Sequence, residues 1–476
     1  MRDDTSANPL LAYGAWLADT GRDWPEAALA AGRNAFVDTI GVSIPGAAEP
    51  VTGKVFATVS GWGDGPCAAI GFGKRLAAPW AAMVNGTAAH ALDFDDNFDP
   101  AKAHASAVLV PAILALAVQE PASGRACLDA YIAGLQIMGR VGQGVNPAHR
   151  NRGWHATATV GAIGAAAACA RLLHLAGREA AYALSIATSM AGGFMSQFGT
   201  STKPLHAGLA AKAGVMAASL ARNAIDAGLD TLDGPTCMNR LMVGPDLEQL
   251  RASLTHIEHG QTLRFETASV GEPLLIVSSG LKVKRFPNCG SAHRAMDGLL
   301  ELIEREVFVA ADVAAIKVSA PASHLANLMY QDPQNPAQAK FSLEYALARL
   351  LADGRCALGD FTDEAIASPQ VRAIYSLIRR VPVDKGEGEF PTVVEVKLQD
   401  GTTHRSEVKM PVGSLAAPLS ERQYATKFDE CAERFIPAGE LADLKGELVK
   451  LAELPSIAPV MDRLAGPWAS DREHHG

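Results

Sequence analysis

Residues 153–170 read GWHATATVGAIGAAAACA, a run in which almost every side chain is small and uncharged. Such a run predicts a helix packed tightly against other helices, because small side chains let neighbouring backbones approach closely. His155 stands just before the run, where the dipole of the expected helix favours a neutral imidazole ring and attracts anions. The run therefore predicts a helical core and a candidate functional histidine, with a purely structural histidine as the alternative.

The composition of the whole chain extends this helical prediction. The chain has 476 residues, of which 48% are hydrophobic but only 6% aromatic, so Ala and Gly supply much of the apolar content. A chain of this length can bury a large core and form two domains. Its most apolar stretch, residues 156–172, is too short and too weakly hydrophobic for a membrane span, so we expect no membrane partner.

Charge and cysteine content narrow the expected partners and compartment. The formal net charge is −9 and no basic tract is present, which argues against a nucleic-acid partner but leaves small anionic substrates open. The N-terminal residues include acids and lack a long apolar run, so we expect no secretory signal. The seven cysteines are scattered without a CxxC pair, which favours reduced thiols in the cytoplasm over a disulfide or zinc framework.

The order of helical and strand-like segments predicts a mostly α fold with an α+β part. Apolar or small residues recur at three- and four-residue spacing in most of the first 260 or so residues and again after about residue 411. We therefore expect a large helical domain built from residues 1–269 and 411–476. A smaller α+β domain is expected as an insertion at residues 270–410.

Three segments of the inserted region carry the strand prediction. Residues 274–287 (LLIVSSGLKVKRFP) and 313–321 (VAAIKVSAP) are short and rich in β-forming residues. Residues 391–410 alternate in polarity around Asp400-Gly401, a pair that favours the type I′ turn of a β-hairpin.

Residues 85–106, NGTAAHALDFDDNFDPAKAHAS, concentrate four aspartates within seven positions, with a histidine on either side: Asp93, Asp95, Asp96, Asp99, His90 and His104. Three interpretations are open. The DDxxD spacing from Asp95 to Asp99 is that of helical Mg²⁺–diphosphate sites, although no second acidic motif or aromatic-lined cavity is evident. The others are a proton-transfer site and a solvated surface loop.

Residues 199–214, GTSTKPLHAGLAAKAG, place a cation and a histidine at the expected start of a helix. Lys203 precedes Pro204, which suits the first turn of a helix, and His206 follows. A cation beside a helix N-terminus is a good receptor for a carboxylate. An ordinary surface lysine is the structural alternative.

Residues 282–298, KVKRFPNCGSAHRAMDG, surround a Pro-Asn-Cys-Gly turn with basic side chains: Lys284, Arg285 and His293. These are candidate substrate-binding residues. A nucleophilic Cys289 with His293 as its base is a further reading, and a buried thiol in a strand-to-helix turn is the structural one.

Five segments together resemble successive signature segments of the MmgE/PrpD family. They are NGTAAHALDFDD, GWHATATVGAIGAAAACARLL, TKPLHAGLAAKAGVMAASLA, KRFPNCGSAHRAMDG and PQNPAQAKFSLEYALA, in the family's order and across almost the whole chain. The resemblance implies a large helical domain with a smaller α+β lid, in a homodimer. It also implies dehydration, decarboxylation or epimerisation of small carboxylates, with no metal or organic cofactor.

The resemblance also implies which residues form the site. The catalytic positions correspond to Asp93, His104, His155, Lys203 and His206. Further candidate substrate contacts are Asn97, Lys284, Arg285 and His293. Two departures bear on the substrate: Asn97 stands where the decarboxylase-like pattern has threonine, and His104-Ala105-Ser106 stands where it has His-Pro-Ser.

These residue types suit bond changes next to a carboxylate, which need a base and a stabiliser of enolate-like charge. Histidine titrates near neutrality, Lys203 can hold a substrate carboxylate, and Asp93 can orient a histidine. We therefore expect a cofactor-independent enzyme for a small di- or tricarboxylate, first a 2-methylcitrate dehydratase-like lyase. An iminodisuccinate-type epimerase, a cis-aconitate decarboxylase and a catalytically silent helical scaffold are the alternatives.

Overall fold

The computed structural model describes residues 8–254, 257–386 and 388–468. The chain forms two compact units, one from Met1–Lys282 with Ala425–Gly476 and one from Val283–Tyr424. The fold is mostly helical with a small mixed sheet, so the predicted fold class is confirmed. The domain boundaries at residues 270 and 410 stay predictions. Within the described residues, every helix is too short or too polar to cross a membrane.

Where the structure describes it, the first unit has helices and one small hairpin as its regular elements. Its elements up to residue 282 are α1 (Pro9–Asp19), α2 (Glu26–Ala47), α3 (Pro50–Val59), β1 (Asp64–Ala69), β2 (Lys74–Leu76), α4 (Ala78–Ala91), α5 (Ser106–Gln119), α6 (Gly124–Val145), α7 (Ala148–Asn151), α8 (Ala156–Leu172), α9 (Gly177–Thr188), α10 (Thr202–Arg222), α11 (Leu247–Ser253) and α12 (Leu275–Ser278). A 3₁₀ turn at Met195–Gln197 and a π-helical turn at Asn239–Val243 interrupt the connections.

Helix α8 is the centre of the packing in the first unit. All 17 of its residues are buried, which confirms the tightly packed helix predicted from its small side chains. A Cβ atom added to Gly134 of α6 would fall 2.5 Å from the Cβ atom of Ala168 in α8. At Gly208 of α10 an added Cβ atom would fall 2.2 Å from the carbonyl oxygen of Met83 in α4. Small residues thus bring these helices close together, and the candidate site lies on α4, on α10 and on the segments that follow α4 and precede α8.

The second unit combines a mixed sheet with short helices. Its elements are α13 (His293–Glu306), β3 (Val313–Pro321), α14 (Ala322–Asn327), α15 (Pro336–Ala339), α16 (Leu343–Asp353), α17 (Asp363–Ala367), α18 (Pro369–Ile374), β4 (Ile378–Val383), β5 (Thr392–Leu398) and β6 (Thr403–Val408). The strand order is β4-β3-β5-β6, with β3 and β4 parallel and the other neighbours antiparallel. The predicted strand at 313–321 and the hairpin around Asp400-Gly401 are confirmed, and Gly401 has a φ of 91° in the turn.

The strand predicted at residues 274–287 is wrong. This segment instead forms the short helix α12, followed by a single β-bridge between Lys282 and Asn97. The backbone N–H of Leu275 donates a 2.8 Å hydrogen bond to Oε1 of Gln136, and Leu275 joins the helical core. A short apolar run does not distinguish a strand from a buried helical turn, so tertiary packing decided this segment.

The last three helices of the described residues are α19 (Glu421–Ala432), α20 (Ala438–Val449) and α21 (Ala458–Arg463). From Ala425 onward these residues belong to the first unit. Buried residues Phe428, Leu444 and Met461 belong to its hydrophobic core. The C-terminal segment therefore completes the core that the first 282 residues begin.

Candidate active site

The aspartate-rich segment leaves α4 and turns sharply before α5. Asp93 has a left-handed backbone with a φ of 54°, an uncommon conformation that occurs at functional sites. Asp93, Asp95 and Asp96 are buried, so the interpretation of a solvated surface loop is wrong. The DDxxD interpretation also fails, because Asp95, Asp96 and Asp99 turn to different partners and do not form one ladder.

Asp93 forms a buried ion pair with Lys203, near the start of α10. The ammonium group also lies 5.4 Å from the centroid of the Phe198 ring, within the range of a cation–π contact. Removing one member of a buried ion pair leaves the other charge uncompensated, so the two residues depend on each other. The pair brings two of the predicted site residues together and supplies the cluster with a cation.

Asp95 lies between two imidazole rings. Nδ1 of His90 is 2.9 Å from Oδ1 and 3.0 Å from Oδ2 of this carboxylate. Nδ1 of His104 is 3.2 Å from Oδ2, and it is also 2.9 Å from the carbonyl oxygen of Asp96. The two ring centroids are 4.3 Å apart. The carboxylate is thus shared by two histidines, the orienting role that the sequence analysis expected of Asp93.

The hydrogen-bond partners of the two rings show which nitrogen atom of each ring carries the hydrogen. A carbonyl or carboxylate oxygen only accepts, so the Nδ1 atoms of His90 and His104 carry the hydrogens. In a neutral ring Nε2 then holds a lone pair, which is the state needed to accept a proton. The backbone N–H of His104 donates a 3.1 Å hydrogen bond to Oγ1 of Thr157, so α8 also positions this residue.

The pKa shifts of Asp95 and His90 agree with this assignment of protons. Burial alone raises the pKa of Asp95, but the facing imidazoles of His90 and His104 outweigh it and hold that pKa well below its usual range. Burial lowers the pKa of His90 to about 3, against the attraction of Asp95. At neutral pH the carboxylate is therefore ionised and the His90 ring is neutral.

His155 and His206 form a second imidazole pair. Their Nδ1 atoms lie 2.9 Å apart, so one ring must donate and the other accept. Burial, followed by the charge of Lys203, lowers the pKa of both histidines, and that of His155 falls well below its ordinary value. The His155 ring is also 6.4 Å from the His90 ring, which connects the two pairs. The backbone of His155 forms the N-cap of α8, as predicted.

Asp96 anchors the beginning of α5. Its Oδ1 atom accepts a 3.2 Å hydrogen bond from the backbone N–H of Ser106, and its Oδ2 atom bonds the Ser106 hydroxyl. That hydroxyl lies 2.6 Å from the Tyr131 hydroxyl. Burial raises the pKa of Asp96 to about 7 despite the hydrogen bonds from Ser106, and the nearby Asp95 and Asp38 add to the increase. These contacts tie the first residue of α5 to the aspartate-rich segment.

Four of these residues also have the donor atoms of a metal site. His90, Asp93, Asp95 and His104 each offer one nitrogen or oxygen atom, all within 4.8 Å of one another. Their present partners compete with an ion, since Asp93 pairs with Lys203 and Asp95 accepts from two imidazoles. The expectation of no metal stays a prediction, which metal analysis of the purified protein would test.

All of the residues predicted to be catalytic lie in the first unit: Asp93, His104, His155, Lys203 and His206. Asn97 is in the same unit and exchanges two backbone hydrogen bonds with Lys282, of 2.9 and 2.8 Å. Its side chain's role in substrate choice stays a prediction.

The remaining candidates, Lys284, Arg285 and His293, belong to the second unit. Lys284 and His293 are buried there, and the His293 ring packs edge-on against Phe286 at 5.3 Å between centroids. The Arg285 guanidinium lies 3.0 Å from Oδ1 of Asp297. Their substrate-binding roles also stay predictions.

Sequence reasoning assigned no site role to His90 or Asp95 and did not notice Lys427. The first two stand inside a quoted motif, and a histidine five residues before an aspartate at a helix end was an available signal. Lys427 reaches the same segment from α19, where its Nζ atom is 2.8 Å from the carbonyl oxygen of Phe94. The local sequence around Lys427 contains no comparable signal.

Comparison with known families gives two matches. Residues 16–250 match the MmgE/PrpD N-terminal domain, and residues 286–448 match the MmgE/PrpD C-terminal domain. The imidazole and carboxylate cluster, whose members lie between His90 and His206 in the sequence, is inside the first matched range.

Similar individual proteins come from animals and a fungus. The chain is 28% identical over 411 residues to the cis-aconitate decarboxylase of Mus musculus, covering 83% of this chain and 80% of that protein. Its identity to the Homo sapiens cis-aconitate decarboxylase is also 28%, over 407 residues, with the same coverage. The Aspergillus terreus cis-aconitate decarboxylase is 26% identical over 482 residues, covering 94% of each chain.

Proposed function

The chain belongs to the MmgE/PrpD family, and from this membership we propose that it is a cofactor-independent lyase that decarboxylates a small unsaturated tricarboxylate. Cis-aconitate is the first candidate substrate, because it is the substrate named in the similar proteins from mouse, human and Aspergillus terreus. A decarboxylase thus replaces the dehydratase that was expected first from the sequence.

One observation carries the proposal: a buried ammonium group and an Asp–His arrangement stand side by side. Lys203 supplies the positive charge, and Asp95 lies against Nδ1 of His104, so Nε2 is the ring atom that exchanges a proton. A substrate with several carboxylates needs a cation to bind it. Its reaction needs a group that can carry a proton at neutral pH.

The chemistry follows from these groups. The bond between the substrate carbon and one carboxylate breaks, CO₂ leaves, and the electron pair stays on the carbon, delocalised toward a neighbouring carboxylate. Lys203 stabilises this negative charge in surroundings that exclude water. His104 first takes up a proton from solvent on Nε2; the carbon then takes that proton from the imidazolium, which returns to the neutral ring. Asp95 stabilises the imidazolium form, and His155 is the alternative donor.

Dehydration or epimerisation is the second candidate, favoured by the departures at Asn97 and Ala105 from the decarboxylase-like pattern. Dehydration would use the same base for a carbon-bound proton, with an acid at the leaving hydroxyl. Epimerisation would need only removal and return of that proton.

The test is a panel of cis-aconitate, 2-methylcitrate, citrate and iminodisuccinate in D₂O, followed by proton NMR and CO₂ release. We expect CO₂ and one new product signal from cis-aconitate alone, with both lost in the Lys203→Met variant.

Light scattering on the same sample tests the homodimer that the family resemblance implies.

Other outcomes point elsewhere. Alkene formation from 2-methylcitrate without CO₂ would make the protein a dehydratase. Deuterium uptake without net conversion of iminodisuccinate would make it an epimerase. If every compound stayed unchanged, the catalytically silent scaffold would be the better description.

A further inference from the structure

The Nε2 atom of His90 is a polar atom without a partner. His90 lies in the last turn of α4 with its side chain fully buried, and Nε2 makes no hydrogen bond within the described residues. The great majority of buried polar atoms in proteins are hydrogen-bonded, and exceptions call for a functional or ligand-based explanation. The position of this atom in the cluster supplies one.

The opposite side of the ring is fully engaged. Nδ1 donates to both oxygens of Asp95, at 2.9 and 3.0 Å. The unpartnered Nε2 is therefore a lone pair and not an N–H, so only a donor can satisfy it. An apolar neighbour could not donate a hydrogen bond, so the free-energy cost of burying this acceptor would remain.

The ring also stands at the centre of the imidazole cluster. Its centroid is 4.3 Å from that of His104 and 6.4 Å from that of His155, the two proposed proton-transfer residues. The ammonium of Lys203 is close enough to act on its charge state. A substrate anchored by Lys203 and reaching His104 would therefore meet His90.

We propose that His90 is a third functional histidine of the site, whose Nε2 accepts a hydrogen bond from an O–H group of the bound substrate. This inference rests on the proposed function. The O–H group is that of a protonated carboxyl or of a hydroxyl. Asp95 aligns the acceptor from the opposite side of the ring, as it does for His104.

Two substitutions separate this role from a structural one. His90→Asn keeps an amide donor near Nδ1 for Asp95 but removes Nε2, whereas His90→Gln places an amide oxygen near Nε2. If Nε2 contacts the substrate, kcat/KM should fall about 10- to 100-fold in the Asn variant, the loss typical of one hydrogen bond to a buried group. The Gln variant should retain more activity than the Asn variant.

His149→Asn is the matched control. His149 is a buried histidine of the same unit, with Nε2 2.9 Å from the Thr159 hydroxyl and no part in the Asp95 group. Its replacement should change stability but leave kcat/KM of the folded enzyme within about twofold, because its ring bonds Thr159 and not the carboxylate of Asp95. Equal losses in the His90→Asn and His149→Asn variants would overturn the proposal.

A second measurement does not depend on turnover. In protein labelled with ¹⁵N-histidine, the His90 Nε2 signal, assigned by its loss in His90→Asn, should report a lone pair in the free protein. Saturating citrate or propane-1,2,3-tricarboxylate should shift it. A shift with citrate alone identifies a hydroxyl donor, and a shift with both identifies a carboxyl donor.

Different outcomes would refute the role of His90 and the proposed reaction. An unmoved His90 signal while other histidine signals shift would overturn the role of His90, and so would a shift caused only by Mg²⁺ or Zn²⁺. If the wild-type protein converts none of the panel compounds but the His90 signal responds to the acids, the reaction is wrong and the binding contact stands.

Discussion

The Nζ atom of Lys427 donates a 2.8 Å hydrogen bond to the carbonyl oxygen of Phe94, a residue 333 positions earlier in the chain. The same ammonium lies 4.1 Å from the centroid of the Phe94 ring and 2.7 Å from Oδ1 of Asp38. Phe94 stands between Asp93 and Asp95. The C-terminal segment therefore holds the backbone from which both carboxylates of the site project.

Replacing Lys427 with methionine should weaken both the fold and the site. The change leaves the buried carboxylate of Asp38 without its cation, and loss of one partner from a buried ion pair costs about 3–5 kcal/mol. Urea denaturation should show this decrease in the free energy of unfolding. Turnover should fall too, because Phe94 loses its backbone anchor.

Lys445→Met is the comparison for Lys427→Met. Lys445 pairs with Asp429 at 2.7 Å, but the two side chains are 36% and 40% exposed, so its loss should cost about 0–1 kcal/mol. Similar destabilisation in the two variants would show that Lys427 makes no special contribution.

Asp96 should make stability decrease as pH rises. Its pKa is raised by burial to about 7, above the ordinary value of 3.8, so between these pH values the folded state binds a proton that the unfolded state has released. The wild type should lose stability relative to Asp96→Asn by about 1.4 kcal/mol per pH unit across that window. Denaturant titrations of both proteins at pH 4.5, 5.5, 6.5 and 7.5 would measure the difference.

Comparison with Asp96→Asn isolates this effect from the buried histidines. The pKa values of His90 and His149 are lowered by burial to about 3, so each adds stability as pH rises toward the unfolded value of 6.5. That contribution is common to both proteins and cancels. A stability difference that stayed constant from pH 4.5 to 7.5 would contradict the raised pKa.

Substitutions in the ion pair between Lys203 and Asp93 should affect stability and catalysis differently. Lys203→Met leaves Asp93 charged and buried, which should cost about 3–5 kcal/mol of unfolding free energy. The double variant Lys203→Met/Asp93→Asn removes both charges and should recover much of that loss. Its kcat/KM should remain low, since the cation for the substrate is still missing. Restored turnover in the double variant would mean that Lys203 has only a structural role.

His155 and His206 should respond unequally to substitution by asparagine. An amide keeps a polar group near Nδ1, so the contact between the two side chains can persist in either variant. His155→Asn removes the Nε2 atom of a proposed proton-transfer residue, and turnover should fall about 10²- to 10⁴-fold. His206→Asn should lose less than about 10-fold, because we expect His206 to act by positioning His155.

Steady-state kinetics, with unfolding curves to show that both variants are folded, would test this difference. A larger loss in His206→Asn than in His155→Asn would reverse the two roles.

Local patterns in the sequence determined several features correctly. The small residues of 153–170 predicted a closely packed helix, because small side chains allow neighbouring helices to approach closely. Asp400-Gly401 predicted a hairpin, because the turn needs the backbone freedom of that glycine. The ordered segments around Asp93, His155 and Lys203 predicted the family, since each is a contiguous motif. All of these signals are local.

Tertiary structure decided which charges meet. The left-handed backbone at Asp93 sends neighbouring carboxylates to different partners, so Asp93 faces Lys203 while Asp95 faces His90 and His104. The partner of Asp93 comes from α10, 110 positions later in the chain, so no local periodicity encodes that pair. The contact of Lys427 with Phe94, across 333 positions, is likewise a long-range contact, which depends on the assembled core and not on neighbouring residues.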